Sequence, residues 1–210
     1  DITGSKYLAD QKNVMSALKT YLDPSLQSGR YLRREVAFYG GSFTGLSNDR
    51  QEYLLSLIKP LIDDGRIDAI RVSTHPLFVQ DIHLKRLKAS GTETVELGVQ
   101  STNQKVLELS GRPCSKENLL KAVFLIRKYE FKLGLQLMLG LPGDNEKTFQ
   151  SSVLDTIKMK PDFVRLYPAL VLRHTALYSM YQKGSYKPWS LERTIDSLKI
   201  AVKLFNSEGI

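Results

Sequence analysis

Cysteine is nearly missing from these 210 residues; Cys114 is the single one. One thiol excludes an internal disulfide framework and fits a reducing compartment, so a cytoplasmic chain is expected. It also leaves the chain unable to ring a zinc ion or an iron–sulfur cluster with its own thiolates. Long apolar runs are absent too. None approaches the roughly 18 residues of a membrane-spanning helix, and no membrane partner is expected. Asp1 to Lys6 lack the basic-then-apolar order of a signal peptide. No Gly-Lys-Ser/Thr phosphate loop, Ser–His–Asp set or His-Glu-x-x-His pair occurs. There is no run of five or six like charges, although Lys and Arg outnumber Asp and Glu by 30 to 22. A scattered excess of that kind reads as a solvated surface, while leaving room for an RNA substrate.

What is present is an alternation of short β-type runs and longer helical patterns, with no linker between them. The spacing predicts helices over Gln11–Leu22, stopped before Pro24, and from Ser47 to about Asp63, kinked or shortened by Pro60. Further helices are predicted over Val79–Ala89, Thr102–Leu109, Ser115–Tyr129, Asp144 (as cap) to Met159, and Ser190–Phe205. Strands are predicted over Glu35–Tyr39, Asp68–Ser73, Thr92–Leu97, Lys132–Leu139 and Asp162–Tyr167. This rhythm is that of right-handed βαβ units and a parallel sheet, either doubly wound or closed toward a barrel.

The two faces of the strands separate those closures. One face carries Ile70, Val72, Val95, Leu97, Leu133, Leu135 and their neighbours, suited to packing on helices. The other carries Tyr39, Arg71, Ser73, Glu96, Gly98, Gln100, Gly134, Gln136, Met138, Arg165 and Tyr167. A doubly wound sheet would be apolar on both faces, and a packed barrel would show Val, Ile and Leu inside. Mostly polar or small residues on one side of each strand point to an incomplete barrel with a polar ligand in its lumen.

Chemistry belongs at the C-terminal ends of such strands. The Tyr39-Gly-Gly-Ser-Phe-Thr-Gly-Leu46 turn allows close backbone approach to a ligand, or serves only as a tight turn. Glu96 must be either paired or ligand-facing, with Arg71, Arg112 and Arg165 as candidate partners. His75 is the one histidine expected near the site. Cys114 reads as structural.

Five ordered motifs then resemble a known family: Phe38–Leu46, Val95-Glu-Leu-Gly-Val-Gln-Ser101, Leu109-Ser-Gly-Arg112, Met138-Leu-Gly-Leu-Pro-Gly143 and Leu166-Tyr-Pro168. Together they resemble the radical S-adenosylmethionine (radical SAM) domain of the Elongator catalytic-subunit class. They are more distantly similar to the oxygen-independent coproporphyrinogen III oxidases. The resemblance implies an α/β fold, a partial (β/α)6 TIM-like barrel, in one radical SAM core domain over residues 1–210. It implies an oxidoreductase-type enzyme with S-adenosylmethionine and a 4Fe–4S cluster as cofactors, cleaving the former reductively to a 5′-deoxyadenosyl radical. By the same resemblance Gly40, Gly41 and Ser42 meet the methionine part, and Ser73 and Thr74 line the second strand exit. Glu96, Gln100 and Arg112 face the ligand's polar groups, and Leu141 and Pro142 lie near its adenine. The relatives' cluster-binding cysteine motif is absent here. The chain is therefore expected to be a piece, lacking the cluster-binding strand and a C-terminal extension and inactive alone. An external electron donor and a tRNA or small-molecule substrate are the implied partners. The alternatives are a SAM- or RNA-binding barrel without a cluster and an oxidase of the coproporphyrinogen type. Where relatives carry Arg-Pro-Asp, this chain has His75-Pro76-Leu77, which leaves the substrate side open.

Overall fold

The structure, a computed structural model, describes residues 11–27 and 33–210. Five strands carry it: β1 (Glu35–Phe38), β2 (Ala69–Thr74), β3 (Thr92–Gln100), β4 (Lys132–Leu139) and β5 (Phe163–Pro168). They lie in chain order, β1-β2-β3-β4-β5, and every pair is parallel. A doubly wound sheet would reverse its strand order at a switch point. This one does not. Crossovers of one hand then put the helices on one face and leave the other open, which is a five-stranded half-barrel.

The helices are α1 (Gln11–Gln27), α2 (Asn48–Asp63), α3 (Asp81–Ala89), α4 (Gln104–Leu109), α5 (Lys116–Lys128), α6 (Glu146–Lys158), α7 (Ala176–Gln182) and α8 (Leu191–Ser207). Ser47, Ser115 and Ser190 cap α2, α5 and α8 through their hydroxyls, as the sequence predicts. The apolar strand face is buried against these helices: Ile70, Val72, Val95, Leu97, Leu133, Leu135 and Leu137 are fully inaccessible to solvent. Ile58, Leu84, Leu87 and Ile126 are the matching helix residues. None of the helices among the described residues is long and apolar enough to cross a membrane.

Several predicted boundaries are corrected. Helix α1 runs through Pro24 to Gln27, whereas α2 ends at Asp63 as its spacing predicts, with Pro60 inside it rather than cutting it short. Each proline sits in the last turn, where it removes one backbone bond and the helix still completes its turn. Asn145, not Asp144, caps α6, accepting from the Lys147 and Thr148 N–H groups at 3.0 and 3.1 Å. Strand β3 continues past Leu97 to Gln100, because Gly98 and Gln100 still pair with Gln136 and Leu137 across a bulge. Helix α3 begins at Asp81, since Pro76–Phe78 forms a separate 3₁₀ turn. Helix α7 lies where the sequence pattern predicts none.

Register explains one glycine. Glu96 pairs with Gly134 and Gly134 with Phe163 across three strands. A Cβ on Gly134 would stand 2.5 Å from Phe163 Cζ and 2.8 Å from Glu96 Cγ. Gly134→Ala is therefore expected to destabilise the fold by about 1–3 kcal/mol, the cost of overpacking. A urea titration followed by circular dichroism measures it, and an unchanged midpoint would contradict this packing.

Candidate functional site

The open face of the half-barrel is organised around Glu96, which is wholly buried. Its Oε1 accepts from the Tyr39 hydroxyl at 2.6 Å and from Arg71 at 3.0 Å. Its Oε2 accepts from the Gln136 amide at 2.8 Å. Arg165 Nε stands 3.0 Å from the same oxygen as an ion contact without hydrogen-bond alignment. Arg165 also donates to the Tyr39 oxygen at 3.0 Å, and Arg71 reaches on to Glu35 at 2.7 Å. The Phe163 ring lies beneath both guanidiniums, 5.1 Å from that of Arg71 and 6.0 Å from that of Arg165.

A buried carboxylate is tolerable only with such company. Of the two roles open to Glu96, the geometry is that of the ion pair inside the barrel, with Arg71 and Arg165 as partners and Arg112 elsewhere. The polar face thus gathers in one place Tyr39, Arg71, Ser73, Glu96, Gln136 and Arg165, with Gln136 3.4 Å from the Ser73 hydroxyl.

Burial and the Glu96 charge push the Tyr39 hydroxyl up to about 12. An unfolded tyrosine ionises near pH ~10. Between about pH 10 and 12 the folded chain keeps a proton the unfolded chain has lost, so stability falls as pH rises through that window. Tyr39→Phe is expected to flatten this part of the pH–stability curve. Urea midpoints at about pH 9 and 11 test it, and an equal drop in both proteins would contradict the assignment.

Toward the mouth, formed by the C-terminal strand ends, polar groups lose their partners. Gln100 has a positive φ of 65°, uncommon for a residue with a side chain, at the bulge that ends β3. Its Oε1 is buried without a hydrogen bond, and so is Nε of Arg112. The two meet over Gly98. A Cβ there would lie 3.1 Å from the Gln100 amide nitrogen and 3.5 Å from an Arg112 guanidinium nitrogen. Burial pulls the Arg112 pKa down, and no acidic residue compensates it.

The other predicted residues surround this spot or support it. Gly40 has φ 94°, which its lack of a side chain permits, and the space over Gly41 is open. The Ser42 hydroxyl accepts from the His75 N–H at 3.2 Å, tying the β1 exit to the β2 exit. Thr74 is buried, its hydroxyl 2.6 Å from that of Thr44. Burial, and then the Arg112 charge, hold the His75 pKa below its ordinary value. Leu141 and Pro142 are buried, and Gly143 is exposed with φ 78°.

The structure adds supports that no motif announced. The buried Tyr186 hydroxyl donates to the Gly140 carbonyl at 2.7 Å, and the Trp189 ring packs over the Gly140 Cα. Asp144 accepts from the Gly140 N–H at 2.9 Å, closing the turn from the other side. Tyr186 and Trp189 lie far along the chain in an irregular segment, where periodicity carries no signal.

Two observations test the implied cofactors. The unpartnered Arg112 and Gln100 groups beside the Gly98 cradle suit the charged amino-acid end of S-adenosylmethionine. The cluster is another matter. Among the described residues no three His, Cys, Asp or Glu side chains converge, and the whole chain holds one cysteine. These 210 residues do not provide its ligands.

A one-sided parallel half-barrel with a polar lumen and an unpaired donor and acceptor at its mouth defines a ligand-binding barrel of the radical SAM type. The sequence profile of the radical SAM superfamily matches residues 26–155, and that of its C-terminal domain matches residues 161–210. The chain belongs to the radical SAM superfamily, enzymes that use S-adenosylmethionine and a 4Fe–4S cluster. It is 32% identical to the tRNA uridine(34) acetyltransferase of Methanocaldococcus infernus over 226 residues, covering 93% of this chain and 42% of that protein. The heme chaperone HemW of Bacillus subtilis is 25% identical, covering 81% of this chain and 46% of the relative. The chain thus spans less than half the length of these curated relatives. Among solved structures, the archaeal Methanocaldococcus infernus Elp3 with an N-terminal deletion superposes with a TM-score of 0.76 at 25% identity, covering 88% of this chain and 48% of that one. Escherichia coli coproporphyrinogen III oxidase shares the fold, with a TM-score of 0.68 at 19% identity over 95% of this chain and 46% of that one.

Proposed function

We propose that this chain forms the S-adenosylmethionine-binding wall of a radical SAM enzyme that modifies tRNA. The observation that carries the reading is the unpaired Arg112 and Gln100 pair over Gly98, at the mouth of a polar half-barrel. In this reading Arg112 donates to the ligand's carboxylate, and the unpaired Gln100 Oε1 accepts from its ammonium group. The Gly40–Gly41–Ser42 turn receives its amino group, Ser73 and Thr74 border the ribose side, and the Leu141–Pro142 turn borders the adenine. Glu96, its oxygens already engaged, holds Gln136 and Arg165 in place rather than touching the ligand. A 4Fe–4S cluster held by residues outside these 210, fed by an external electron donor, supplies the electron for reductive cleavage. We also assign residues 1–210 to one core domain that depends on segments beyond it for the cluster. The tRNA substrate is supported by the kinship with a tRNA uridine(34) acetyltransferase and by the net charge of +8.

Isothermal titration of the chain with S-adenosylmethionine tests the binding, with adenosine as the comparison ligand. Saturable binding that adenosine does not match is the expected result. No detectable heat at millimolar ligand would refute the assignment.

A further inference from the structure

The chain's basic residues are scattered, but its acidic residues are not. Between Asp162 and Glu192 there is no Asp or Glu at all, while Arg165, Arg173, Lys183 and Lys187 lie in that stretch. The same stretch holds five of the chain's tyrosines and tryptophans, Tyr167, Tyr178, Tyr181, Tyr186 and Trp189, along with Phe163. It comprises β5, the loop after it, α7 and the turn into α8.

Both ends of this stretch abut the mouth of the half-barrel. Tyr167 follows Arg165 on the open face at the C-terminal end of β5. At the other end the Tyr186 hydroxyl is bonded to the Gly140 carbonyl, at the turn that closes β4. The chain between them therefore runs out from the mouth and back to it. Helix α7 buries none of its residues, and Leu170, Leu172 and Tyr181 are each about half exposed or more. Arg173, His174, Lys183 and Lys187 are exposed, and none of them has an ion-pair partner among the described residues. Elsewhere on the surface most arginines are matched, as Arg33, Arg66, Arg86 and Arg193 are by glutamate or aspartate.

Exposed cations without counter-charges attract a polyanion, and exposed aromatic rings among them give its bases a face to stack on. A duplex hides those faces; a single strand offers them. We propose that the segment Tyr167–Lys187 is a docking strip for a single-stranded stretch of RNA, leading it to the mouth of the half-barrel. Arg173, Lys183 and Lys187 meet phosphates, and Tyr181 and Tyr167 stack on bases. The inference deepens the tRNA reading by naming the surface and the form of RNA. It does not depend on cofactor binding.

Fluorescence anisotropy with a labelled 12-nucleotide single-stranded RNA tests it, without S-adenosylmethionine or cluster, so that failure here and failure of cofactor binding are separate results. The triple variant Arg173→Ala/Lys183→Ala/Lys187→Ala should bind about tenfold more weakly at 0.1 M salt. Its slope of log K against log salt should be shallower by about two, since three phosphate contacts at ~0.7 each are lost. Lys85→Ala/Lys105→Ala/Lys147→Ala removes the same charge from exposed positions outside the strip and should change affinity less than twofold. Tyr181→Ala should weaken binding about tenfold, with Tyr181→Phe restoring it, as stacking on a ring requires. Equal losses in the two triple variants would overturn the proposal, because net charge alone would then explain binding. So would equal affinity for the duplex of the same sequence, or equal displacement by a poly-glutamate chain, which would make the occupant an acidic protein. Absence of binding would overturn it outright.

Discussion

Glu96→Gln is expected to be the most damaging single change in the chain, lowering stability by about 3–5 kcal/mol. The carboxylate is fully buried and engages Tyr39, Arg71, Gln136 and Arg165. Losing its charge leaves Arg165 without a carboxylate partner and Arg71 with Glu35 alone, and the new amide group presents an N–H where a donor already points. Removing one partner of a buried ion pair costs far more than the pair contributes as a whole. A compensated variant separates these terms. Glu96→Leu combined with Arg71→Met and Arg165→Met removes all three charges together and should recover a large part of the lost stability. Urea unfolding of the three proteins measures both effects. If Glu96→Gln costs less than about 1 kcal/mol, the network is an exposed ornament of the lumen and not its foundation.

Arg112→Ala is expected to weaken S-adenosylmethionine binding by about 10- to 100-fold, the worth of a hydrogen-bonded charge pair in a partly dry site. Stability should barely fall, because in the free chain Arg112 already lacks a partner for its buried Nε. Truncation removes a desolvated cation and its cost. That combination, large loss of binding with little loss of stability, is the signature of a group kept for a ligand. 5′-Methylthioadenosine, which has no carboxylate, supplies the control by isothermal titration: chain and variant should bind it equally well. If the variant loses both ligands alike, Arg112 does not meet the carboxylate and the orientation of the ligand in the cup is wrong.

The first prediction rests on a face that alternation already separates. Period-two spacing is local, so the polarity of Arg71, Ser73, Glu96, Gln136 and Arg165 is readable before any strand is paired. Their convergence follows from strand order equal to chain order, which keeps each strand's polar side on the same surface. Serine caps are legible for the same reason: the cap and the N–H it accepts from are three residues apart. Asp144 misleads because two neighbouring residues, Asp144 and Asn145, can both cap, and only the Gly140 turn draws one of them away. Pro24 misleads because a proline's effect depends on which turn of a helix it occupies, and a helix end is not marked by proline alone.

By itself the amino-acid order determined the alternation of strands and helices, the apolar and polar faces, and the glycine-rich turns at the strand exits, because each depends on residues close in the chain. Only the tertiary structure decided that Glu96 pairs with Arg71 and Arg165 and leaves Arg112 free, since three guanidiniums competed and strand register chose. It likewise decided that Tyr186, forty-six positions from Gly140, holds the turn that closes β4. Partners that far apart are brought together by packing, and no periodicity along the chain encodes their meeting.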